Sequence, residues 1–467
     1  MPRSTRGVFD GTTSGLLLEV ELAGVARGRR AETLAGQLRL AVRTGTLPTG
    51  TRLPASRTLA ADLGVSRGVV VRAYDQLVAE GYLAGRRGSG TIVAGGSDPG
   101  PPAPLRPITR SSNPGLPSGG TFPRAAWARC AARALAALTD DELGYGDPAG
   151  LPRLREELAR YLGRVRAVLA PPERVVVVNG FAQASRLVAD VLCGGGTTCI
   201  AVEDPGSIGL RDQLTASGLT CVPVPVDDEG IQVDALAASG VHAVVVTPAH
   251  QFPTGAVTSP ARRHALLEWA RSCGGLVLED DYDAEFRYDR TPIGALQGLG
   301  PDVVLYGGSV SKTLAPGVRL GWLVVPEHLV ATYRDAKYTA DLARGVLDQA
   351  TFAELLASGE MDRHIRHMAA EYRHRRDHLV AAVVSSLPDW DVTGTAAGLH
   401  LVLHTPGRDD EALARQAQAC GLDARALSRY SLESPSRPGL VIGYGHQPPG
   451  RLSAAVEALA RALGRER

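Results

Sequence analysis

The stretch YGGSVSKTLAPGVRLG, residues 306–321, contains the residue on which the reading of this chain turns. It overlaps an apolar run, VVLYGG at 303–308, that reads as a buried strand, and the change from Val and Leu to Gly and Ser marks its end. Lys312 therefore stands in a turn beyond a strand end. The chain has one other lysine, Lys337, and arginine supplies all remaining fixed positive charge. A surface lysine is usually one of many. Here, any chemistry that needs a deprotonatable amine has two places to occur.

Outward from this strand the pattern repeats. Val-rich runs at 175 (VVVV), 198 (TCIAV), 243 (AVVVT), 276 (LVLED) and 320 (LGWLVV) alternate with amphipathic stretches. Strands interleaved with helices predict a mainly parallel sheet covered on both faces, an α/β domain. From about Asp348 the order becomes helix, strands around GLHLVLH and GLVIGYG, then a closing helix, which predicts a smaller α+β part.

With 467 residues the chain is long enough for about two to four compact units. Hydrophobic residues are 44% and charged residues 21%, an ordinary globular composition that argues against disorder. The start, MPRSTRGVFDGTTSG, lacks the apolar core of a secretory signal, and no later stretch stays apolar for a bilayer's width, so a cytoplasmic protein without membrane contact is expected. The six cysteines, Cys130, Cys193, Cys199, Cys221, Cys273 and Cys420, form no CxxC pair, so reduced, mostly buried thiols and no metal site are expected.

Charge is unevenly placed. Residues 1–97 hold 13 arginines against 7 acids, a net of +6, so the remainder of a chain of total charge +1 carries −5. In this basic head, Leu34, Leu38 and Val42 mark a first helix, a second starts at Ser56, and Ser66 is placed to cap a third running from Arg67 to Glu80. Two short strands around an Arg-Arg-Gly turn follow. Residues 34–94, LAGQLRLAVRTGTLPTGTRLPASRTLAADLGVSRGVVVRAYDQLVAEGYLAGRRGSGTIVA, resemble the winged helix-turn-helix of GntR-type regulators throughout. The resemblance implies double-stranded promoter DNA as partner. It places Ser66, Arg67 and Arg72 at the major groove or its phosphates, Arg57 on the backbone, and Arg86 and Arg87 of the wing at the minor groove, while Val70, Tyr74 and Leu77 pack inward. Any one of these arginines could be a solvated surface charge; the set along one motif favours DNA.

Residues 95–122, including PGPPAPLRP, are too rich in Pro and Gly to fold alone and read as a linker. The head is accordingly bounded at 20–94 and the body at 123–467, with a large part over about 145–345 and a small one over about 346–467.

The motif around Lys312 resembles the Schiff-base motif of fold-type I pyridoxal-phosphate enzymes, of aspartate aminotransferase type. That resemblance implies pyridoxal 5'-phosphate as cofactor, covalently joined to Lys312, with Ser309, Arg319 and, more weakly, Ser311 on the phosphate. In GLVLEDDYDAEFRY (275–288), Asp280 matches the carboxylate that keeps the pyridine nitrogen protonated and Tyr282 the phenol beside its 3-oxygen, whereas Asp281 and Asp283 are expected to cap or stay solvated. In NGFAQA (179–184), Gly180, Phe181 and Ala182 should open a helix that offers backbone N–H groups to the phosphate. Tyr145, in GYGDPAG, matches a tyrosine that reaches the neighbouring subunit's phosphate, which implies a homodimer; a plain packing role is the alternative.

The segment VVTPAHQFPTGAVTSPARR (245–263) has Phe252-Pro253-Thr254-Gly255 behind His250-Gln251, where ordinary aminotransferases carry Asn-Pro-Thr-Gly. With the head, this pattern resembles the MocR/GabR family of regulators over residues 31 to about 445. Two departures stand out. Ser207 follows the Glu203-Asp204-Pro205-Gly206 sequence where the family often has a tyrosine, so an aromatic wall is missing unless Phe181 supplies it. The arginine that grips an effector carboxylate is assigned to Arg437, with Arg429 in reserve.

The resemblance implies a regulator that senses a small amino compound, or pyridoxal phosphate itself, by aldimine chemistry at Lys312 and alters promoter binding. The same residues, Lys312, Asp280 and Tyr282, would equally serve a working aminotransferase whose head is accessory or vestigial. Turnover and promoter binding separate the two readings.

Overall fold

The computed structural model describes residues 6–10, 17–86, 90–95, 114–288, 293–405, 407–433 and 437–464. They fall into two compact units, Met1–Arg110 and Ser111–Arg467.

In the first unit, β1 (Arg6–Asp10) pairs antiparallel with β2 (Leu17–Glu21). Helix α1 (Arg30–Arg43) buries Leu34, Ala35, Leu38, Ala41 and Val42, a stripe with the three-to-four-residue spacing of a helix packed on one side. It meets α2 (Ser56–Asp62) and α3 (Arg67–Ala79) in one apolar cluster, to which Val70, Tyr74 and Leu77 contribute. The Tyr74 hydroxyl donates to the Pro54 carbonyl at 3.0 Å, and the Arg39 guanidinium forks onto Glu80 at 2.6 and 2.7 Å. Ser66 occupies the N-cap position of α3 in extended conformation, but among the described residues its hydroxyl makes no capping hydrogen bond; the expected cap is positional only. Strands β3 (Leu83–Arg86) and β4 (Gly90–Val93) form the antiparallel wing. Residues 51–53 run along it: Leu53 N donates to Thr91 O and Val93 N to Thr51 O.

The second unit is built on an eight-stranded sheet. Its strands are β5 (Val175–Val178), β6 (Cys199–Asp204), β7 (Thr220–Asp227), β8 (Gly230–Ile231), β9 (Ala243–Val246), β10 (Leu276–Asp281), β11 (Val304–Ser309) and β12 (Gly321–Val324), in the order β5-β12-β11-β10-β9-β6-β7-β8. The inner strands are parallel; β12 runs antiparallel to both β11 and β5. Val175–Val178 are wholly buried, as strands covered on both faces must be. One face packs on α4 (Arg124–Ala137), α5 (Pro152–Arg166) and later α11 (Val346–Ala357); the other carries α6 (Phe181–Gly194), α7 (Ile208–Ala216) and α10 (Val330–Asp341), while α8 (Val233–Ala238) and α9 (Pro260–Cys273) cover the β6–β9 region.

The smaller part begins with the 27-residue α12 (Glu360–Ser386). It holds a four-stranded antiparallel sheet of β13 (Asp391–Thr393), β14 (His400–His404), β15 (Asp423–Ala426) and β16 (Gly439–Gly443), in the order β13-β14-β16-β15. Helices α12, α13 (Asp410–Ala419) and α14 (Pro449–Gly464) close one core over it. All six cysteines are free; Cys130 is buried and the other five are partly exposed, fewer buried thiols than composition suggested. Among the described residues no helix is long and apolar enough to cross a membrane.

Candidate functional site

Strand alternation sorts the three acids at the end of β10. Successive side chains point to opposite faces, so Glu279 and Asp281 share one side and Asp280 the other, with Tyr282 continuing the Asp280 side. Glu279 accepts from the backbone N–H of Leu296 and Gln297 at 2.8 and 2.9 Å. Asp281 is not solvated: it pairs with Arg166 at 2.7 Å and accepts from the Tyr306 hydroxyl at 2.6 Å, all within the core. Asp283 is also buried and faces His250. The expectation of capping or solvated roles for both acids is corrected by these partners.

Asp280, Tyr282 and Lys312 line one cavity of about 350 Å³, together with Glu203, Ser207, Arg211, Phe252, Arg425 and Tyr430. Burial pushes the Asp280 carboxyl well above the usual carboxylate range, and Asp281 adds to the rise while Lys312 opposes it. Asp280 Oδ1 is buried and has no hydrogen-bond partner among the described residues. Burial lowers the Lys312 amine below the ordinary lysine value, with Asp283 and Asp280 pulling the other way. Glu203 is pushed up to about 7 by burial, even though Thr247 and Gln251 donate to its Oε2. Its Oε1 has no partner among the described residues.

The residues expected at a phosphate lie at the end of β11, in the turn before β12 and at the start of α6. Ser309 is buried and its hydroxyl accepts from Ser311 N at 3.4 Å. Helix α6 begins at Phe181, immediately after Gly180 at φ 76°, so its first N–H groups, those of Phe181 and Ala182 included, have no intrahelical acceptor. Arg319 donates to Asn179 O at 2.6 Å, and a Cβ on Gly180 would stand 3.3 Å from both terminal nitrogens of its guanidinium. Glycine thus lets an arginine lie over a helix N-terminus, an arrangement suited to a phosphate. Ser309, Ser311, Arg319 and the start of α6 are not among the residues that line the cavity, but the donor set fits pyridoxal phosphate: they would hold its phosphate, Asp280 its ring nitrogen, Tyr282 its 3-oxygen and Lys312 its aldehyde carbon.

The other expected residues lie elsewhere. The Phe181 ring sits against Gly307, where a Cβ would come within 2.5 Å, and is not a cavity wall; Phe252 and Tyr430, edge to face at 5.3 Å, provide the aromatic side instead. Ser207 caps α7, accepting from Leu210 N at 3.4 Å. Tyr145 is 83% exposed. Arg437 pairs with Asp391 at 3.4 Å and Arg429 with Glu411 at 3.0 Å, both on the surface and neither lining the cavity. The arginines that do line it, Arg211 and Arg425, were missed. Arg211 is 9% exposed, donates to the carbonyls of Tyr430 and Arg429 at 2.8 and 3.5 Å, and among the described residues forms no ion pair with a carboxylate. Arg425 hydrogen-bonds the Tyr430 side chain. No motif announced either one.

In the head, Arg57, Ser66, Arg67 and Arg72 are all exposed, and Arg67 Nε donates to Ser56 Oγ at 3.4 Å. Arg86 ends β3, while Arg87 lies outside the described residues. Arg52, unremarked in the sequence, is exposed beside the wing, its Nε 3.3 Å from the position of a Cβ on Gly90.

A winged helix-turn-helix and a separate body of fold-type I architecture define a DNA-binding protein that carries an aminotransferase scaffold. Residues 30–93 match the bacterial regulatory proteins of the gntR family and residues 113–435 match aminotransferase class I and II. The chain is 34% identical over 462 residues to "Probable rhizopine catabolism regulatory protein MocR" of Rhizobium meliloti, covering 93% of this chain and 92% of that one. It is 34% identical over 421 residues to "HTH-type pyridoxine biosynthesis transcriptional regulator PdxR" of Corynebacterium glutamicum, covering 88% and 91%. The body superposes on the crystal structure of a multiple substrate aminotransferase from Thermococcus profundus with a TM-score of 0.69 at 27% identity, over 76% of this chain and 91% of that chain. The chain belongs to the MocR/GabR family of GntR-type transcriptional regulators.

Proposed function

We propose that this regulator binds pyridoxal 5'-phosphate at Lys312 and uses it to sense a small amino compound, or the cofactor itself, changing how the head binds promoter DNA. The bound cofactor supplies an aldehyde that condenses reversibly with amines and a ring that withdraws electrons. The lowered amine of Lys312 is the more readily deprotonated nucleophile. Asp280, protonated more readily than an ordinary carboxyl, has one oxygen with no competing partner among the described residues and could share a proton with the ring nitrogen. Arg211 and Arg425 replace Arg437 and Arg429 as the groups for an anionic end of the effector, since they reach the same cavity as the amine.

One observation carries the regulatory reading. Pro114 and Gly115, within the Pro- and Gly-rich segment read as the linker, line the cavity, and a Cβ on Gly115 would lie 3.9 Å from Lys312 Nζ. A molecule entering the cavity meets the chain that leads to the head, so a ligand with different affinity for two placements of that segment would shift their populations. Tyr145, with exposed Leu135, Leu143 and Leu347 on or beside the packed pair α4 and α11, supports a homodimer. The reading places the protein in the cytoplasm, with its DNA.

Footprinting of the promoters beside its gene tests the proposal. Protected half-sites whose affinity changes on adding pyridoxal phosphate and an amino acid are expected, and the change should vanish in Lys312→Ala. Repeated transamination of an amino acid with a 2-oxo acid, without specific promoter protection, would instead establish the aminotransferase reading.

A further inference from the structure

The His250 that precedes the Phe-Pro-Thr-Gly turn has no role in the reading above, yet it sits behind one of the cofactor-facing groups. Its Nδ1 lies 3.0 and 3.2 Å from the two carboxylate oxygens of Asp283 and 3.0 Å from the Tyr282 hydroxyl. His250 is 3% and Asp283 1% exposed. The packing depends on Gly398, at φ 66°, where a Cβ would stand 2.2 Å from Asp283 Oδ2 and 2.5 Å from His250 Cε1.

A carboxylate only accepts hydrogen bonds, so Nδ1 must carry a hydrogen to lie against Asp283. That is true of the neutral Nδ1–H tautomer and of the imidazolium alike. An N–H cannot accept, so Tyr282 cannot donate to it; the phenol oxygen becomes a second acceptor of the same hydrogen. The phenol's own proton then points away from His250, and Tyr282 lines the cavity beside Asp280 and Lys312. Burial, with Asp283, Asp280, Glu203 and Tyr444 around it, holds the Tyr282 phenol well above its ordinary value, so the proton is present to donate. The neighbouring His400 ring, 5.2 Å from that of His250, is lowered to about 3, first by burial and then by His250, and brings no charge.

We propose that Asp283 and His250 form a positioning pair that keeps the Tyr282 hydroxyl a hydrogen-bond donor into the cavity, toward the anionic oxygen of the ligand. On the reading above, that oxygen is the cofactor's 3-oxygen. A donated hydrogen bond favours the form in which this oxygen's charge is not shared with a proton on the adjacent nitrogen, so losing it should raise the pH midpoint of the cofactor's visible absorption.

Absorption spectra of the cofactor-loaded full-length protein across pH, with borohydride labelling and circular dichroism as checks, test this. Tyr282→Phe and His250→Phe should each raise the midpoint by about one pH unit, the scale of one hydrogen bond. The double variant should rise no further than Tyr282→Phe alone, and His250→Asn, whose amide can stand in for Nδ1–H, should restore the wild-type midpoint. If His250→Phe does not fold, Asp283→Asn is read in its place: an amide no longer obliges Nδ1 to be protonated, so a raised midpoint supports the pair and an unmoved one refutes it. A wild-type midpoint in His250→Phe beside a shifted Tyr282→Phe, or additive shifts, overturns the inference alone. A wild-type protein with no visible band overturns the cofactor reading, and this inference with it.

Discussion

Arg425 of β15 stands directly across from Val441 of β16 in the antiparallel register, and its side chain lines the cavity that holds Lys312. An arginine there offers a planar fork of donors to a carboxylate. Replacing it with glutamine should remove one charge-assisted interaction, about 1.5–3 kcal/mol, and so weaken amino-acid binding about tenfold to a hundredfold. Spectral titration of the cofactor-loaded protein with amino acids reads this directly, and cofactor affinity should be unchanged. Arg437→Gln and Arg429→Gln, on the surface in their own ion pairs, should bind as wild type does; a loss confined to Arg437→Gln would reverse the assignment.

The asymmetry between what the sequence disclosed and what it did not has a physical source. Lys312, Asp280, Tyr282 and the start of α6 are local: each stands at the end of a strand run of Val and Leu or a few residues past it, so composition alone marks where the chain leaves the sheet. Arg425 depends on which strand pairs with β16 and in what register, a long-range fact with no local signature. Arg437 drew attention because it immediately precedes β16 in sequence, but nearness along the chain placed it on the surface. Asp281 looked solvated because an acid at a strand end usually is; its partner Arg166 is 115 residues away. His250 stood out in its motif, yet only the fold brings it to Asp283 and Tyr282.

The Arg166–Asp281 pair makes a stability prediction. Both side chains are nearly inaccessible, at 1% and 3% exposure, and Tyr306 completes the network. Arg166→Met leaves a buried carboxylate without its cation, which costs about 3–5 kcal/mol. Urea denaturation of the apoprotein should show the midpoint falling accordingly. A loss below about 1 kcal/mol, the scale of a surface pair, would mean that water reaches Asp281.

The raised carboxyl of Asp280 predicts a pH dependence in the apoprotein. In the unfolded chain this acid ionises near pH 4, whereas in the folded chain burial holds its proton to higher pH. Between those values the folded state binds more protons, so the group's contribution to stability is full below the unfolded value and is lost as pH rises through the folded one. Glu203, raised to about 7, acts in the same sense. Asp280→Asn should therefore stabilise the apoprotein at neutral pH and flatten the decline of its melting temperature from acid to neutral pH, while weakening cofactor binding. An equal or steeper decline in the variant would mean that Asp280 is ionised in the folded apoprotein.

Exposed positions on α3 carry the last prediction. Arg67 and Arg72 lie on the solvent face of the helix whose opposite face buries Val70, Tyr74 and Leu77, so either can be changed without opening the core. If both contact phosphate, each alanine substitution removes one neutralised charge, and the slope of log affinity against log salt should become shallower by about 0.9 per residue. A base contact behaves differently: it costs about 1–3 kcal/mol on the specific site and leaves non-specific binding nearly intact. Titrating operator and unrelated duplex at several salt concentrations separates the two, and full affinity and slope in the double variant would remove α3 from the DNA interface.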